Sequence, residues 1–322
     1  MSAANFLKTR KGLALLYGLF TLLVAAIPLV VENEYILRVM IMIWIYSILT
    51  LSLNFIIGFS CTLSFGHHAF YGIGAYTTGL LMTEQGMSFI PAIILSVIVT
   101  FIFGLIVGVP VTRVRGDYLV LLTLAFGEIF RLVMQGWISF TGGHMGIVGI
   151  PAPGLFDYRI TTNFQFYYLG MILVALTFFS LEVLTKSKVG RAMIAIREDE
   201  LAASSSGVNT GAYKLLNFAL GCMFAGLAGG FLAVYMTAIA PSNFTLGEGV
   251  LMIVMVIVGG LGSLPGSILG AAAMLFATEA FRDVYTYRLL IIGLIMILVL
   301  IWHPQGIMGI GAWKRSTKPK GE

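Results

Sequence analysis

Glu128 and Arg131, in the run LTLAFGEIFRLV, are the residues whose type and setting first demand a chemical explanation. Both are ionisable, and both stand inside an apolar stretch that begins near residue 118. Glu128 lies about ten residues into that stretch, about 15 Å along a helix axis and close to the centre of a bilayer. A charge there is costly unless it faces a bundle interior or a watery cavity. At i and i+3 the two side chains share one face and can neutralise each other. The pair reads either as a structural tie between helices or as a contact for a polar solute. Glu279 and Arg282 repeat the spacing nearer the outer surface. His67 and His68 are the other titratable candidates. Neighbours on a helix point about 100° apart, so the two cannot bind one metal together. Hydrogen-bonded core imidazoles are the expectation, with solute contact as the alternative.

Other chemistries are excluded by what the sequence lacks. It has no G-x-x-x-x-G-K-[ST] loop to cradle nucleotide phosphates and no H-E-x-x-H zinc motif. No serine–histidine–acid set can be assembled from so few polar residues. Cys61 and Cys222 sit in apolar or glycine-rich stretches and offer neither a disulfide framework nor metal-ligand spacing. The reading is a transport protein, not an enzyme, with no metal site.

These residues need a scaffold, and composition says of what kind. Of 322 residues, 59% are hydrophobic and 10% charged, with a mean hydropathy of +0.98. Soluble domains carry about 25% charged residues. So apolar a chain cannot hide its surplus in one core, and lipid must solvate much of its surface. The 38 glycines suit helices packed closely in a bilayer. The net charge of +5 does not gather into a nucleic-acid face.

Crossing the hydrocarbon takes about 20 apolar residues. Such runs lie near 13–31, 36–57, 90–109, 118–137, 164–184, 214–236 and 286–302. The first follows basic residues as a signal peptide would, but it exceeds the usual core of about 7–15 residues and is read as a retained span. Shorter, glycine-interrupted segments lie near 68–83 and within 250–281. If the latter is two short helices around Gly259 to Gly266, the total is about ten spans. If it is a re-entrant hairpin, the count falls, and the termini share a side in both cases. Lys8, Arg10, Lys11, Arg113, Arg115, Lys186, Lys188, Arg191, Arg197, Lys214, Lys314, Arg315, Lys318 and Lys320 fall on one side by alternation, which makes that side and both termini cytoplasmic. The expectation is an all-α polytopic protein, one transmembrane domain over 1–322.

Two features of this scaffold could carry transport. The first is the pair of broken segments, GFSCTLSFGHHAFYGIGAY from Gly58 and GGLGSLPGSILGAA from Gly259. Non-helical backbone at membrane depth survives where protein or a water-filled cavity satisfies it, and paired interruptions point to a solute path. The alternative is that the glycines merely permit tight helix crossing. The expected path residues are Ser64, Gly66, His67, His68, Gly72, Glu128, Arg131, Gly259, Gly260 and Gly262. The second is the cytoplasmic loop 185–213, KSKVGRAMIAIREDELAASSSGVNTGA. Val189, Met193 and Ile196 form a narrow apolar stripe opposite Arg191 and Glu198. The stripe fails at Glu200, so one helix or two are equally compatible. Such a stripe can enter a cleft on a soluble partner or lie on lipid headgroups. The acidic run Glu198, Asp199, Glu200 favours the protein partner.

At these residues the chain resembles the LivM-type permease subunits of branched-chain amino acid ABC importers. The resemblance covers nearly everything beyond the second span: LSFGHHAFYGIGAYT, RGDYLVLLTLAFGEIFRLV, TGGHMGIVGIP, GRAMIAIREDELAASSSGVN, KLLNFALGCMFAGLAGGFLA, VGGLGSLPGSILGAA and HPQG. It implies an ABC importer permease fold in the bacterial inner membrane, paired with a paralogous permease. Two cytoplasmic ATPases would hold ATP and Mg, and a periplasmic solute-binding protein would deliver the cargo. Loop 185–213 would hold the coupling helix, with Arg191, Ile196, Arg197, Glu198, Asp199, Glu200 and Gly207 as contact residues. Glu200, Ala202, Ala203 and Gly207 are similar to the E-A-A-x-x-x-G pattern of such permeases. The chain departs from the family where relatives read Y-A-G-Q-L-S or Y-T-G-L-L-S, having Phe59, Ser60, Cys61, Thr62, Leu63 and Ser64 instead. His68 replaces a small residue, and His144 interrupts a glycine loop. Relatives of this kind carry branched-chain amino acids, urea, amides, polar amino acids or aromatic acids.

Overall fold

The structure, a computed structural model, describes residues 25–28, 33–114, 116–155, 158–280, 293–294, 297, 301 and 306–308. The expected first and last spans and the basic residues at both termini lie almost wholly outside the described residues, as does Arg282.

Five of the helices start where a side chain satisfies their first amides. Asn33 Oδ1 accepts from Tyr35 N at 2.9 Å and opens α1 (Glu34–Ser60). Three apolar helices follow: α2 (His67–Thr83), α3 (Phe89–Arg113) and α4 (Asp117–Gly136). Thr162 and Gln165 form a reciprocal capping box at the head of α5 (Asn163–Lys186). Ser187 caps α6 (Lys188–Glu198), and Asp199 caps α7 (Glu200–Ser205) through bonds from Leu201 N and Ala202 N. Asn209 opens α8 (Thr210–Met236). Last come α9 (Leu246–Gly259) and α10 (Leu264–Ala280). Among the described residues, six segments are long and apolar enough to cross a membrane: α1, α3, α4, α5, α8 and the stretch Pro241–Gly259 that contains α9.

Within 250–281, read as two short spans or a re-entrant hairpin, two helices are joined by a four-residue turn, Gly260–Ser263, a geometry common to both readings. Gly260 and Gly262 adopt φ values of 113° and 77°, which favour glycine. α9 and α10 then run back to back: a Cβ on Gly259 would overlap the Gly266 carbonyl, and one on Gly270 the Met255 carbonyl.

α1 is the mast of the bundle, buried almost throughout and packed by α5, α8, α9 and α10. α8 crosses α2 and α3 on small residues. A Cβ on Gly229 would overlap the Tyr71 carbonyl, and one on Gly74 the Gly226 backbone. Ser96 Oγ donates to the Gly74 carbonyl at 3.0 Å across the same crossing. In lipid, where apolar contact alone gives helices no reason to associate, close backbone approach and such bonds hold them together.

Short strands organise the outer loops. β2 (Gly154–Leu155) pairs antiparallel with β3 (Tyr158–Arg159), and β1 (Ile147–Val148) pairs antiparallel with β4 (Ala238–Ile239), Ile147 opposite Ile239. This second pair ties the segment after α4 to the end of α8.

Candidate coupling and translocation site

The first broken segment is a non-helical stretch, 61–66, followed by α2. It is held from outside itself: Phe65 N donates to Thr123 Oγ1 at 3.1 Å, and a Cβ on Gly66 would overlap the Thr123 carbonyl. Both histidines are fully buried. His67 Nε2 and Ser52 Oγ share a hydrogen bond of 2.7 Å, as expected of a core imidazole. His68 Nδ1 donates to the Phe65 carbonyl at 3.1 Å, which leaves Nε2 as an acceptor without a hydrogen-bond partner. The His68 ring lies between two glycines, for a Cβ on Gly127 of α4 or Gly249 of α9 would strike it. The departure at His68 is therefore accommodated by absent side chains on both neighbouring helices.

Glu128 and Arg131 do pair, with Arg131 Nε and Nη2 at 2.9 and 2.8 Å from Glu128 Oε2. They sit beside the stripe Leu119, Thr123, Gly127 and Phe130 that packs α4 onto α2, and they keep 30% and 25% of their side-chain surface open. Within this chain the pair is covered on one side only.

The two broken segments meet near the inner end of α1. A Cβ on Gly58 would overlap Gly262 N and Asn54 Oδ1. Asn54, fully buried, binds the α9–α10 turn with its whole amide: Nδ2 reaches Gly260 O at 3.2 Å, Ser263 O at 3.0 Å and Ser267 Oγ at 2.7 Å, while Oδ1 accepts from Gly262 N at 2.8 Å. A second buried amide, Asn217 of α8, binds Phe55 O, Ile56 O and Ser60 Oγ. Neither asparagine was a candidate from sequence, because a lone Asn in an apolar run carries no spacing signal. Only its burial among backbone carbonyls reveals it.

The loop 185–213 holds two short helices broken at Asp199, and its side chains divide differently from the expectation. The stripe does not face outward. Met193 and Ile196 are buried against α1, α5 and α8 of the same chain, so Ile196 is a core residue in this structure. The acidic run is partly spent internally: Asp199 caps α7, and Glu200 pairs with Lys214 at 2.7 Å. Glu198 and Arg191 stay exposed. Arg197 points inward, its Nη1 donating to the Gly58 carbonyl at 2.7 Å. Gly207, at φ 84°, ends α7, with Val208 N bonded back to Ala203 O at 3.1 Å. Leu201, 75% exposed, is the large apolar side chain that α7 presents on its outer surface.

Two cavities among the described residues are lined by residues other than those of the expected path. The larger, about 580 Å³, opens at the outer ends of α1, α5, α8 and α10 and is lined by Arg38, Tyr46, Asn163, Tyr235 and Glu279 among others. A second, about 240 Å³, lies under the cytoplasmic helices and is lined by Ser60, Cys61, Thr62, Ile196, Glu200 and Lys214 among others. Ser64, Gly66, His67, His68, Gly72, Gly259, Gly260 and Gly262 are packed contacts in this conformation. Among the described residues no three His, Cys, Asp or Glu side chains converge as a metal site.

A bundle of apolar helices with charges at mid-helix and two short helices bound to its core suits a permease, and the sequence comparisons agree. The family of branched-chain amino acid transport system permease components matches residues 35–300. The chain is 36% identical over 290 residues to the high-affinity branched-chain amino acid transport system permease protein LivM of Salmonella typhimurium, covering 83% of this chain and 68% of that protein. LivM of Escherichia coli is 36% identical over 287 residues, covering 82% and 68%. The permease protein LivH of Salmonella typhimurium is 27% identical over 287 residues, covering 82% and 91%. No solved structure matches. The chain belongs to the branched-chain amino acid transport permease family. It is a multi-pass permease subunit of a bacterial inner membrane rather than an enzyme.

Proposed function

We propose that this chain is one of two paired permeases in an ATP-driven, binding-protein-dependent importer of branched-chain or other small amino acids. Its membrane domain spans about ten times with both termini in the cytoplasm, in keeping with the basic loops. A paralogous permease covers the open side of α4, a periplasmic solute-binding protein docks outside, and two cytoplasmic ATPases hold ATP and Mg. The cargo class rests on the names of the relatives, high-affinity branched-chain amino acid permeases.

The observation that carries the coupling role is the two-sided character of the cytoplasmic helices. Their inner side is fastened to the bundle through Met193, Ile196 and Arg197, while Leu201, Arg191 and Glu198 face the cytoplasm. A partner that grips this outer side moves the bundle without a nucleotide site in this chain. The solute then passes beside Glu128 and Arg131, where α4 meets the sister permease, and the contacts of Gly66, His68 and Gly72 open as α4 moves away from α2.

The test is uptake of labelled leucine by the complete importer in proteoliposomes. Uptake requires ATP on the side of the cytoplasmic loops and survives ionophores. Collapse with ionophores despite ATP would favour an ion-driven carrier using Glu128. Preference for urea, an amide or an aromatic acid over leucine would reassign the cargo and keep the machinery. Wild-type uptake by both R191E and E198R would refute the coupling surface.

A further inference from the structure

Arg197 is the one cationic side chain of α6 that turns from the cytoplasm into the bundle, and its guanidinium ends where three elements converge. Its Nη1 donates to the carbonyl of Gly58, on the last turn of α1. On the other side it lies against the α9–α10 turn, for a Cβ on Gly262 would stand 3.1 Å from the same nitrogen. Gly58 and Gly262 touch each other, and Asn54 locks Gly262 and its neighbours to α1 by the four bonds described above. A rigid planar donor thus bonds a cytoplasmic helix to the backbone of the first broken segment and packs against the turn of the second.

We propose that Arg197 is the positioning residue that transmits displacement of α6 and α7 into the α1 end and the α9–α10 turn together, so that the two broken segments move as one body when the ATPases close. This rests on the coupling role proposed above and adds its route. The apolar contacts of Met193 and Ile196 can slide along the bundle. A charge-assisted hydrogen bond to a half-buried carbonyl fixes register as well as distance. Glu200 and Lys214 hold α7 to α8 on the neighbouring side, so α6 without Arg197 stays attached but loses its grip on the turn.

The experiment uses the complete importer in proteoliposomes and reads leucine taken up per ATP hydrolysed. R197Q should co-purify with its partners, hydrolyse ATP near the parent rate and lose about tenfold in that ratio. R197K, which keeps one donor but not the planar fork, should fall between the two. A merely structural arginine would lower the amount of complex, and with it uptake and hydrolysis equally, leaving the ratio unchanged. A parental ratio in R197Q overturns the proposal. If R197Q does not accumulate, the ratio in R197K decides, and a parental value there overturns it as well. L201E keeps the two outcomes separable. It should abolish co-purification of the ATPases if α7 docks them. A fully assembled and active L201E importer removes the docking reading itself, whatever Arg197 does.

Discussion

α1 and α4 are both apolar enough to cross a membrane, yet 78% of the most apolar window of α1 is buried within the chain against 22% for α4. The polar groups of α1 follow that difference. Thr50 and Asn54 bond to α10 and its turn, and Ser52 to His67, so their partners lie inside one subunit. α4 instead pairs Glu128 with Arg131 on the same helix and leaves the pair half open. The lesson is about where a polar residue's obligations are met. Buried amides satisfied at home make a fold, whereas a charged pair open on one flank at membrane depth needs cover from outside the chain.

Four single substitutions and one double variant would break or sharpen this contrast. The largest effect belongs to α1. N54L strands the Gly262 amide and removes one of the donors that the Gly260 and Ser263 carbonyls share with Ser263 N and Ser267, and it should destabilise the isolated chain by about 2–3 kcal/mol. Heating in detergent followed by size-exclusion chromatography would read this as lost monodisperse protein. Wild-type heat tolerance would mean that the amide is not the lock of the turn. E128Q on α4 should invert the pattern. The isolated chain loses about 1–2 kcal/mol, but the assembled importer loses about tenfold in uptake, because Arg131 is left unmatched. E128Q/R131M should regain assembly. If it also regains uptake, the pair is structural. S52A, removing the bond to His67, should cost about 1 kcal/mol in the isolated chain and leave cargo preference untouched. The smallest effect is at the surface. K214Q, which breaks the pair with Glu200, should shift heat tolerance by less than about 1 kcal/mol and lose even that at high salt.

Much of this organisation was legible in the chain. Hydropathy located α1, α3, α4, α5 and α8 to within a few residues, because lipid imposes a length that sequence cannot disguise. The glycine interruptions marked the non-helical 61–66 stretch and the Gly260–Ser263 turn. What stayed hidden were facts about direction. The periodicity of Val189, Met193 and Ile196 announces an apolar face but not which body it covers, and here that body is the protein's own bundle. The run Glu198, Asp199, Glu200 looks like one acidic patch, but a cap, an ion pair and an open side chain each take one member. The departure at Cys61 becomes intelligible only from the backbone. This residue closes α1 at φ 53°, a left-handed conformation that glycine would adopt freely and that a residue with a side chain takes with strain.

The pairing of β1 with β4 has a mechanical consequence. Backbone hydrogen bonds clasp the outer segment after α4 to the end of α8, and their strength does not depend on which side chains the strands carry. α4 packs on α2 through one narrow stripe, so in the transport cycle proposed above the clasp would serve as a pivot and the end of α4 near Tyr118 as the far end of a lever. Labels on Tyr118 and Leu63, both exposed, would follow that tip through the cycle, and constant separations would make α4 a fixed wall. For a rod about 30 Å long, a tilt of about 10° carries the tip through about 5 Å. A modest rocking motion would therefore open a gap as wide as a small amino acid, with no helix unwinding.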